Sequence, residues 1–347
     1  MLYSDSLKTV STPVRAAKKM SYFINSTQAY HINDLNSLGW ELTVSNCLYP
    51  DRSPCRSILV RKTSYGRQFY EFIKENLPLE RVRAILEIGG GYGYLMHDIL
   101  TINPNFRVTM VDISPFLLAE QKKTLAEFPL HFILSDVNDL PETVIRDHDF
   151  VILNENVGDF PTAVDIPTRL LFHESRAQED PGLSKIRNLF ETYAFPVPEG
   201  DTFNFNLGAV ETTERLCRTR VPFIFISEHS CEARVPDAYR GMISVSASGN
   251  PGRISLKGHD EYTIKFSHLE YVANRCGYDV RRGPIADFIR PDFNDSLMWL
   301  LKRRHSTKQD HEILRHFIED LYQYEYLLLM KKDDEWERTT IMQGIED

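Results

Sequence analysis

The sequence has little of what marks a disulfide-bonded or zinc-binding protein. Its 347 residues contain five cysteines, an odd number, and no two of them form a C-x-x-C pair. This pattern argues against a disulfide framework and against a cysteine zinc site, so we expect reduced thiols and a cytoplasmic protein. The cysteines are Cys47, Cys55, Cys217, Cys231 and Cys276.

Long apolar runs and an excess of positive charge are missing too. No stretch approaches the roughly 20 apolar residues that a membrane-spanning helix needs, and no apolar core of a secretory signal stands near residue 1. The formal net charge is −9, which disfavours nucleic acid because phosphate backbones bind to basic surfaces. We therefore expect neither a membrane nor a nucleic acid as partner, and a homodimer stays open.

A third missing feature is the last glycine of a dinucleotide-binding fingerprint. An apolar run at 84–88 is followed by glycines at alternate positions and then by a helical apolar pattern. The fingerprint G-x-G-x-x-G would need glycine where Tyr94 stands. The spacing found is E-x-G-x-G-x-G, which predicts a strand, a tight turn and a helix whose N-terminus faces a ligand. Its residues are Glu87, Gly89, Gly91 and Gly93; an ordinary glycine-rich turn is the alternative.

Acidic residues end the next two predicted strands, 106–112 and 130–136. In a doubly wound parallel sheet, ligands bind outside the carboxyl ends of the strands. Asp112 at such an end can accept hydrogen bonds from both hydroxyls of a ribose. Asp136 can accept from an adenine amino group while the Val137 N–H donates to the ring. A helix cap or turn former is the alternative role for Asp136.

Polar side chains also follow the fourth and fifth predicted strands, 149–156 and 221–228. Asn154 and Glu155 end the first of them, and His229 follows the second. We expect these groups to orient an acceptor atom and to remove its proton, with a His229 pKa near neutrality. The alternatives are ordinary polar residues of a strand terminus and a hydrogen-bonded structural histidine.

The rest of the chain predicts helices at 67–78, 115–125, 184–193, 211–220, 269–276, 296–301 and 311–321, and strands near 278–280 and 326–330. These two strands bring the predicted sheet to seven. His259, Asp260 and His268 stand close together, but their spacing fits no site that we can support. We therefore predict no metal site.

Three stretches resemble class I S-adenosylmethionine (SAM) methyltransferases over roughly residues 67–280. More narrowly, they resemble the MidA-like family, methyltransferases linked to mitochondrial complex I assembly. Residues 86–100 are similar to its E-x-G-x-G-x-G-x-L-x-x-D-I-L motif, and 154–161 to its N-E-x-x-D-x-x-P element. Residues 258–269 look like its late segment. The chain departs from the family pattern at Gly90, where the family has Pro, and at Asp112, where the family has Glu. The Asp that follows the family's N-E pair is displaced here to Asp159.

The resemblance implies an α/β, Rossmann-like class I methyltransferase fold, a mostly parallel seven-stranded sheet with flanking helices and an N-terminal cap. The expected division is a cap at 1–66, a methyltransferase domain at 67–333 with an inserted acceptor-site segment at about 163–215, and an acidic tail at 334–347.

The same resemblance implies SAM as cofactor and a nitrogen or oxygen atom as methyl acceptor. Members of this family are associated with methylation of arginine in a protein partner. Other activities stay open: a small-molecule methyltransferase, a nicotinamide-dependent oxidoreductase, or a SAM-binding assembly factor without catalysis. The expected catalytic residues are Asn154, Glu155 and His229. The expected cofactor-binding residues are Glu87, Gly89, Gly91, Gly93, Asp112, Ile113, Asp136, Val137 and Asn154.

Overall fold

A computed structural model describes residues 22–38, 43–172, 180–303 and 309–332. The predicted acidic tail, 334–347, and residues 1–21 of the predicted cap lie outside the described residues. The strands are β1 (Phe23–Asn25), β2 (Ala84–Ile88), β3 (Arg107–Asp112), β4 (His131–Leu134), β5 (Phe150–Asn154), β6 (Thr162–Pro167), β7 (Thr202–Phe205), β8 (Phe223–His229), β9 (Arg253–Ser255), β10 (Asp260–Tyr262), β11 (Tyr278–Pro284) and β12 (Tyr324–Lys331).

The helices alternate with these strands over most of the chain. They are α1 (Gln28–Asn33), α2 (Val44–Leu48), α3 (Pro54–Ser57), α4 (Tyr65–Asn76), α5 (Tyr94–Ile102), α6 (Pro115–Thr124), α7 (Glu142–Arg146), α8 (Thr168–Phe172), α9 (Pro181–Tyr193), α10 (Leu207–Arg218), α11 (Phe266–Arg275), α12 (Asp295–Lys302) and α13 (Gln309–Gln323). Within the described ranges, every helix is too short or too polar to span a bilayer.

The central sheet has the strand order β11-β12-β8-β5-β2-β3-β4. The pairs β2–β3, β2–β5, β3–β4 and β5–β8 are parallel, and β12 runs antiparallel to both of its neighbours. The predicted fold class, a mostly parallel seven-stranded sheet with flanking helices, is therefore confirmed.

The direction of winding reverses at β2. The chain passes from β2 to β3 and β4, and then returns to β5 on the other side of β2. At such a switch point the loops diverge, so a crevice opens outside the carboxyl ends of the two central strands.

Both faces of the central strands are covered, which explains why they are apolar without alternation. All five residues of β2 are buried. Ile85 points into an apolar layer with α4, α5, α12 and α13, and Leu86 points into the opposite layer with α9, α10 and α11. Each fully buried aliphatic side chain of this kind contributes about 1.5–3 kcal/mol.

Two small antiparallel units flank the switch point. β6 pairs with both β1 and β7, and β9 pairs with β10 in a hairpin. The side-chain amide of Asn25 donates to the backbone oxygen of Asp260 at 2.8 Å, which ties β1 to that hairpin. The chain at 22–38 and 43–48, called the N-terminal segment below, is therefore tied to the β9–β10 hairpin.

The structure adds strands that the sequence pattern did not predict, namely β1, β6, β9 and β10, and β6 is the longest of these four. Asp165 has a left-handed φ of 58°, and the pairing of β6 with β7 shifts register between Ala163 and Ile166. This irregularity interrupts the alternation by which a strand is recognised. The predicted free thiols agree with the structure, in which all five cysteines are unpaired.

Candidate functional site

A cavity of about 300 Å³ opens at the switch point, outside the carboxyl ends of the parallel strands. It collects nearly every site residue that the sequence predicts: Glu87, Gly89, Gly91, Asp112, Ile113, Asp136, Val137, Asn154, Glu155 and His229. Gly93 does not line it and instead forms the N-cap of α5. These positions are distant in the sequence and lie together because each is at or near the carboxyl end of a parallel strand.

The turn after β2 needs glycine for two different reasons. Gly89 has a φ of 65°, and a Cβ there would lie 2.3 Å from Nδ2 of Asn156, whose side chain crosses the turn to bond the Ile88 carbonyl. Gly91 has a φ of 53°, but among the described residues a Cβ there would meet only Leu38, at 3.7 Å. Gly89 leaves room for the Asn156 side chain, and Gly91 leaves its side of the cavity open.

Asp112 is joined to the glycine turn by one side chain. Nε2 of Gln121 donates to Asp112 Oδ2 at 2.7 Å and to the Gly91 carbonyl at 3.1 Å. The Ser114 N–H donates to Asp112 Oδ1 at 2.8 Å. Burial raises the pKa of Asp112 to about 6, although these two donors oppose the shift. Both oxygens keep spare lone pairs, so the carboxylate can still accept from a ligand.

Glu87 is a buried acid without a cation. Its side chain ends below the glycine turn, is 1% exposed, and its Oε2 has no hydrogen-bond partner among the described residues. Burial, helped by the negative charge of Asp112, raises its pKa to about 8. An orphaned acceptor of this kind fits a ligand that brings its own donors or positive charge.

Asp136 serves the backbone as well as the cavity. Its Oδ1 accepts from the Asn138 N–H at 2.8 Å and so caps the short 3₁₀ turn at 137–139. Gln28 of the N-terminal segment donates to its Oδ2 at 3.3 Å. The capping role that the sequence left open is therefore present, and the same residue lines the cavity.

The side chain of Asn154 is held in a fixed orientation at the end of β5. Its Oδ1 accepts from the Tyr65 hydroxyl at 2.6 Å and from the Ser227 hydroxyl at 2.8 Å. Because the oxygen is held on this side, the orientation of the whole amide is set by the protein and not by a ligand.

Glu155 has a left-handed backbone, with a φ of 56°, a conformation that costs a non-glycine residue energy. The Ser45 hydroxyl donates to its Oε2 at 3.1 Å. Burial raises the pKa of Glu155 to about 7, with the Thr43 hydroxyl opposing the shift and the Glu228 carboxylate adding to it. The carboxyl group is therefore suited to exchange a proton near neutral pH.

His229 differs from the prediction of a near-neutral pKa. Burial lowers the pKa of His229, but the carboxylates of Asp320 and Glu228, 3.9 and 3.5 Å from its ring nitrogens, outweigh burial and raise it to about 9. The imidazole is therefore protonated at neutral pH. The carboxylate of Asp320 on α13 accounts for this higher pKa of His229. No sequence motif near His229 indicates that contact.

Several lining residues come from segments that carry no recognisable motif. The N-terminal segment contributes Ser26, Thr27, Gln28, His31, Leu38, Thr43, Ser45 and Asn46. By contrast, no described residue of 163–215, the expected acceptor-site insertion, lines the cavity. Its strands pair with β1 or with each other, and its helices pack in the apolar layer.

The cavity is strongly acidic. Seven acidic residues line it, whereas no lysine or arginine does so in the described part of the chain; Glu87, with its pKa of about 8, is mostly protonated at neutral pH, and protonated His229 adds a positive charge. The acids are Glu87, Asp112, Asp136, Glu155, Asp159, Glu228 and Glu261. Such a surface favours cationic ligands and repels anionic ones.

One family model matches the chain. Residues 65–218, somewhat less than half of the sequence, match a family described as a putative S-adenosyl-L-methionine-dependent methyltransferase. The match includes the glycine turn, Asp112, Asp136 and the end of β5. The chain carries a SAM-dependent methyltransferase domain. Its cofactor is SAM, in agreement with a cavity that offers an open glycine face and a buried Glu87 oxygen without a hydrogen-bond partner among the described residues.

A search of curated proteins finds no match, and the solved structures named next are similar to this methyltransferase at low sequence identity. The plantazolicin methyltransferase BpumL is 13% identical (TM-score 0.43), with 88% of this chain and 95% of BpumL covered. A methyltransferase from Clostridium acetobutylicum is 9% identical (0.38; 78% and 91%). An O-methyltransferase family protein from Burkholderia thailandensis is 12% identical (0.38), and the chain spans 56% of it while 77% of this chain is covered. TM-scores below 0.5 carry no argument about substrate.

Proposed function

We propose that this methyltransferase modifies a cationic nitrogen acceptor, such as the guanidinium of an arginine side chain. The observation that carries the proposal is the acidic cavity, with seven acidic residues against protonated His229, and no lysine or arginine among its described lining residues. One carboxylate 5 Å from a unit positive charge contributes about 3 kcal/mol at an effective dielectric constant of about 20. An anionic acceptor would be disfavoured by a similar amount, so the cavity selects by charge.

The cofactor side of the proposal assigns the predicted residues to SAM. SAM supplies an electrophilic methyl group when it is bound. The open face at Gly91 gives it room, and the carboxylates of Asp112 and Asp136 accept from its hydroxyl and amino donors. Glu87, buried without a protein cation, would ionise beside its positive charge.

The acceptor side rests on Glu155 and Asn154. Transfer to a guanidinium nitrogen releases a proton, and Glu155, with its pKa near 7, receives it. Asn154, fixed by Tyr65 and Ser227, orients the acceptor through its amide. Protonated His229 lies at the end of the neighbouring strand, where its charge favours the ionised form of Glu155. The protein therefore contributes alignment and proton removal, which is what a reactive methyl donor needs.

The MidA-like resemblance supports arginine of a protein partner as the acceptor. We also propose the domain division that the same resemblance implies. The described part of residues 1–66 lines the cavity along one side, as a cap over the site would. A small-molecule amine is the second candidate within the same charge class. A nicotinamide-dependent oxidoreductase is disfavoured because a pyrophosphate would face the same acidic wall.

The test is transfer of radiolabelled methyl from SAM to peptides that differ only at one central position: arginine, lysine, serine or aspartate. We expect label on arginine and none on serine or aspartate. Label confined to the serine or aspartate peptide would overturn the cationic acceptor. A fractionated lysate assayed in parallel distinguishes a protein acceptor from a small amine, and SAM binding without any transfer in either assay would support the assembly-factor alternative.

A further inference from the structure

A second constellation of side chains lies on the cap side of the cavity. It consists of His31 on α1, Asp159 at the end of the 3₁₀ turn 157–159 and His259 in the turn between β9 and β10, with Glu261 of β10 beside His259. Three of them, His31, Asp159 and Glu261, line the cavity. We propose that this cluster binds a divalent transition-metal ion such as Zn²⁺ and thereby fixes the N-terminal segment over the mouth of the cavity.

The donor atoms converge on one point from three distant parts of the chain. His31 Nε2 lies 2.9 Å and His259 Nε2 lies 3.7 Å from the same Oδ1 of Asp159. Glu261 Oε1 lies 3.1 Å from His259 Nε2. The ligand atoms of the two histidines and Asp159 all lie within 4.8 Å of one another.

These separations suit coordination of one ion. Metal–ligand bonds of about 2.0–2.2 Å place neighbouring donors about 2.9–3.5 Å apart for octahedral to tetrahedral angles. The two distances to Asp159 Oδ1, 2.9 and 3.7 Å, lie in or close to that range. Two imidazoles with carboxylates are ligands for Zn²⁺ and its first-row neighbours, whereas Ca²⁺ and Mg²⁺ prefer all-oxygen sites.

The surroundings hold His259 in a fixed orientation. The ring of Tyr30 stacks on its imidazole, with centroids 4.2 Å apart and planes 22° apart. Gly258 makes this possible: its φ is 100°, and a Cβ there would lie 2.8 Å from the Tyr30 ring. The His259 side chain is only 3% exposed. Metal sites depend on such supporting contacts to set the direction of each ligand.

The neighbouring histidine of the predicted late motif has a different environment. His268 stacks on Phe195 with centroids 4.3 Å apart, and burial lowers its pKa to about 3. It belongs to the apolar layer and takes no part in the cluster. The sequence prediction of no metal site considered His259 together with His268, whereas the fold combines His259 with His31 and Asp159.

The proposed ion would reinforce the contacts that already join these three elements. The Thr27 hydroxyl donates to the Asp159 carbonyl at 2.9 Å, and Asn25 bonds the backbone of β10. Coordination by His31 and His259 would fix the same contact more firmly. Because His31, His259 and Glu261 lie outside the family match at 65–218, the site would be an addition to the methyltransferase core.

The test measures Zn²⁺ binding to the full chain, freed of any histidine tag and of metal by chelation, without SAM or acceptor. We expect one ion per chain by isothermal titration, tetrahedral-type visible bands with Co²⁺, and a rise in melting temperature on adding Zn²⁺. Changing an outer partner of a metal ligand typically costs about 10–100-fold in affinity, so His31→Ala, His259→Ala and Asp159→Asn should each cost at least about 100-fold.

The matched control is His316→Ala, an exposed histidine of α13 that pairs with Glu319. It should bind Zn²⁺ like the wild type, and circular dichroism checks that every variant is folded. His259→Gln keeps the size of the side chain if the alanine variant fails to fold. No stoichiometric binding by the wild type, or equal binding by the folded His31 and His259 variants, would overturn the site and leave the proposed methyl transfer untouched.

Discussion

The two ends of the cavity are built differently. The cofactor end takes its residues from consecutive strand ends, so Glu87, Asp112 and Asp136 follow one another along the chain. The acceptor end combines β5 and β8 with the N-terminal segment and α13, as the neighbours of Glu155 and His229 demonstrate. Local pattern therefore suffices to locate the first end, and only the folded chain assembles the second.

The largest effect should come from blocking the cofactor end with Gly91→Val. The new side chain would enter the cavity, because among the described residues a Cβ there meets only Leu38, at 3.7 Å. The backbone at φ 53° adds about 1–2 kcal/mol of strain. We expect SAM affinity to fall by more than about 100-fold, equivalent to about 3 kcal/mol, measured by isothermal titration.

Gly249→Val is the control for that strain. Gly249 has a φ of 69° and nothing within 4 Å of a Cβ, so it carries a similar backbone cost away from the cavity. It should lose stability without losing SAM affinity. Equal SAM affinity in the Gly91 and Gly249 variants would show that the glycine turn does not contact the cofactor.

The residues that we propose for the cofactor end could be predicted from the sequence because their signals are local. A glycine at Gly89 or Gly91 is required by φ, and an acid after a buried strand such as Asp112 falls at the ligand edge of any parallel sheet. These rules need no knowledge of what packs nearby. They also fixed the fold class, because a doubly wound sheet follows from the alternation of strands and helices.

At the acceptor end, the second prediction concerns Glu155→Gln. The wild-type kcat/KM should rise with pH as Glu155 ionises, with a midpoint near its pKa of about 7, and level off above it. The amide cannot accept the proton, so the rate should fall about 10²–10⁴-fold and the rise should disappear. SAM affinity should change little, since the residue faces the acceptor.

Glu228→Gln is the matched comparison for that prediction. Both oxygens of Glu228 are already engaged, by the N–H groups of Gly158 at 3.0 Å and His229 at 2.8 Å. The variant should keep the pH rise even if it is less stable. A pH profile unchanged by Glu155→Gln would exclude Glu155 as the base.

The sequence could not assemble this end, because its properties arise from contacts between distant residues. The pKa of His229 depends on Asp320, and the orientation of Asn154 depends on Tyr65. The sequence analysis predicted near-neutral behaviour for His229 from its position alone. The acceptor-site role expected for 163–215 stays a prediction, while no described residue of that segment lines the cavity.

The third prediction uses stability to examine the cofactor end without ligand. Burial raises the pKa of Glu87 to about 8 from an ordinary 4.5, so the folded protein holds this proton more tightly than the unfolded chain does. The associated stability is present below about pH 4.5 and is lost as pH rises through about 8. Glu87→Gln should remove that loss, a difference of a few kcal/mol at pH 9.

The measurement is the melting temperature of the SAM-free protein between pH 5 and pH 9. The wild type should lose more stability over this range than Glu87→Gln, and the variant should be the more stable of the two at the upper limit. Parallel curves for the two proteins would mean that Glu87 titrates normally. Glu228→Gln serves again as the reference, since backbone donors already hold that carboxylate.

The smallest effect should come from Ser45→Ala, which removes the hydroxyl that donates to Glu155 Oε2 at 3.1 Å. Loss of that bond destabilises the ionised carboxylate, so the pKa of Glu155 rises further. A hydrogen bond to a charged group is worth about 1.5 kcal/mol, which shifts the midpoint of the pH–rate profile upward by about one unit. The high-pH plateau should be kept, so the variant is slow near pH 7 and close to wild type near pH 9.

Ser57→Ala, whose hydroxyl bonds only the Pro54 carbonyl among the described contacts, should leave the profile unshifted. A midpoint unmoved in both variants would mean that the N-terminal segment covers the acceptor end without tuning its base.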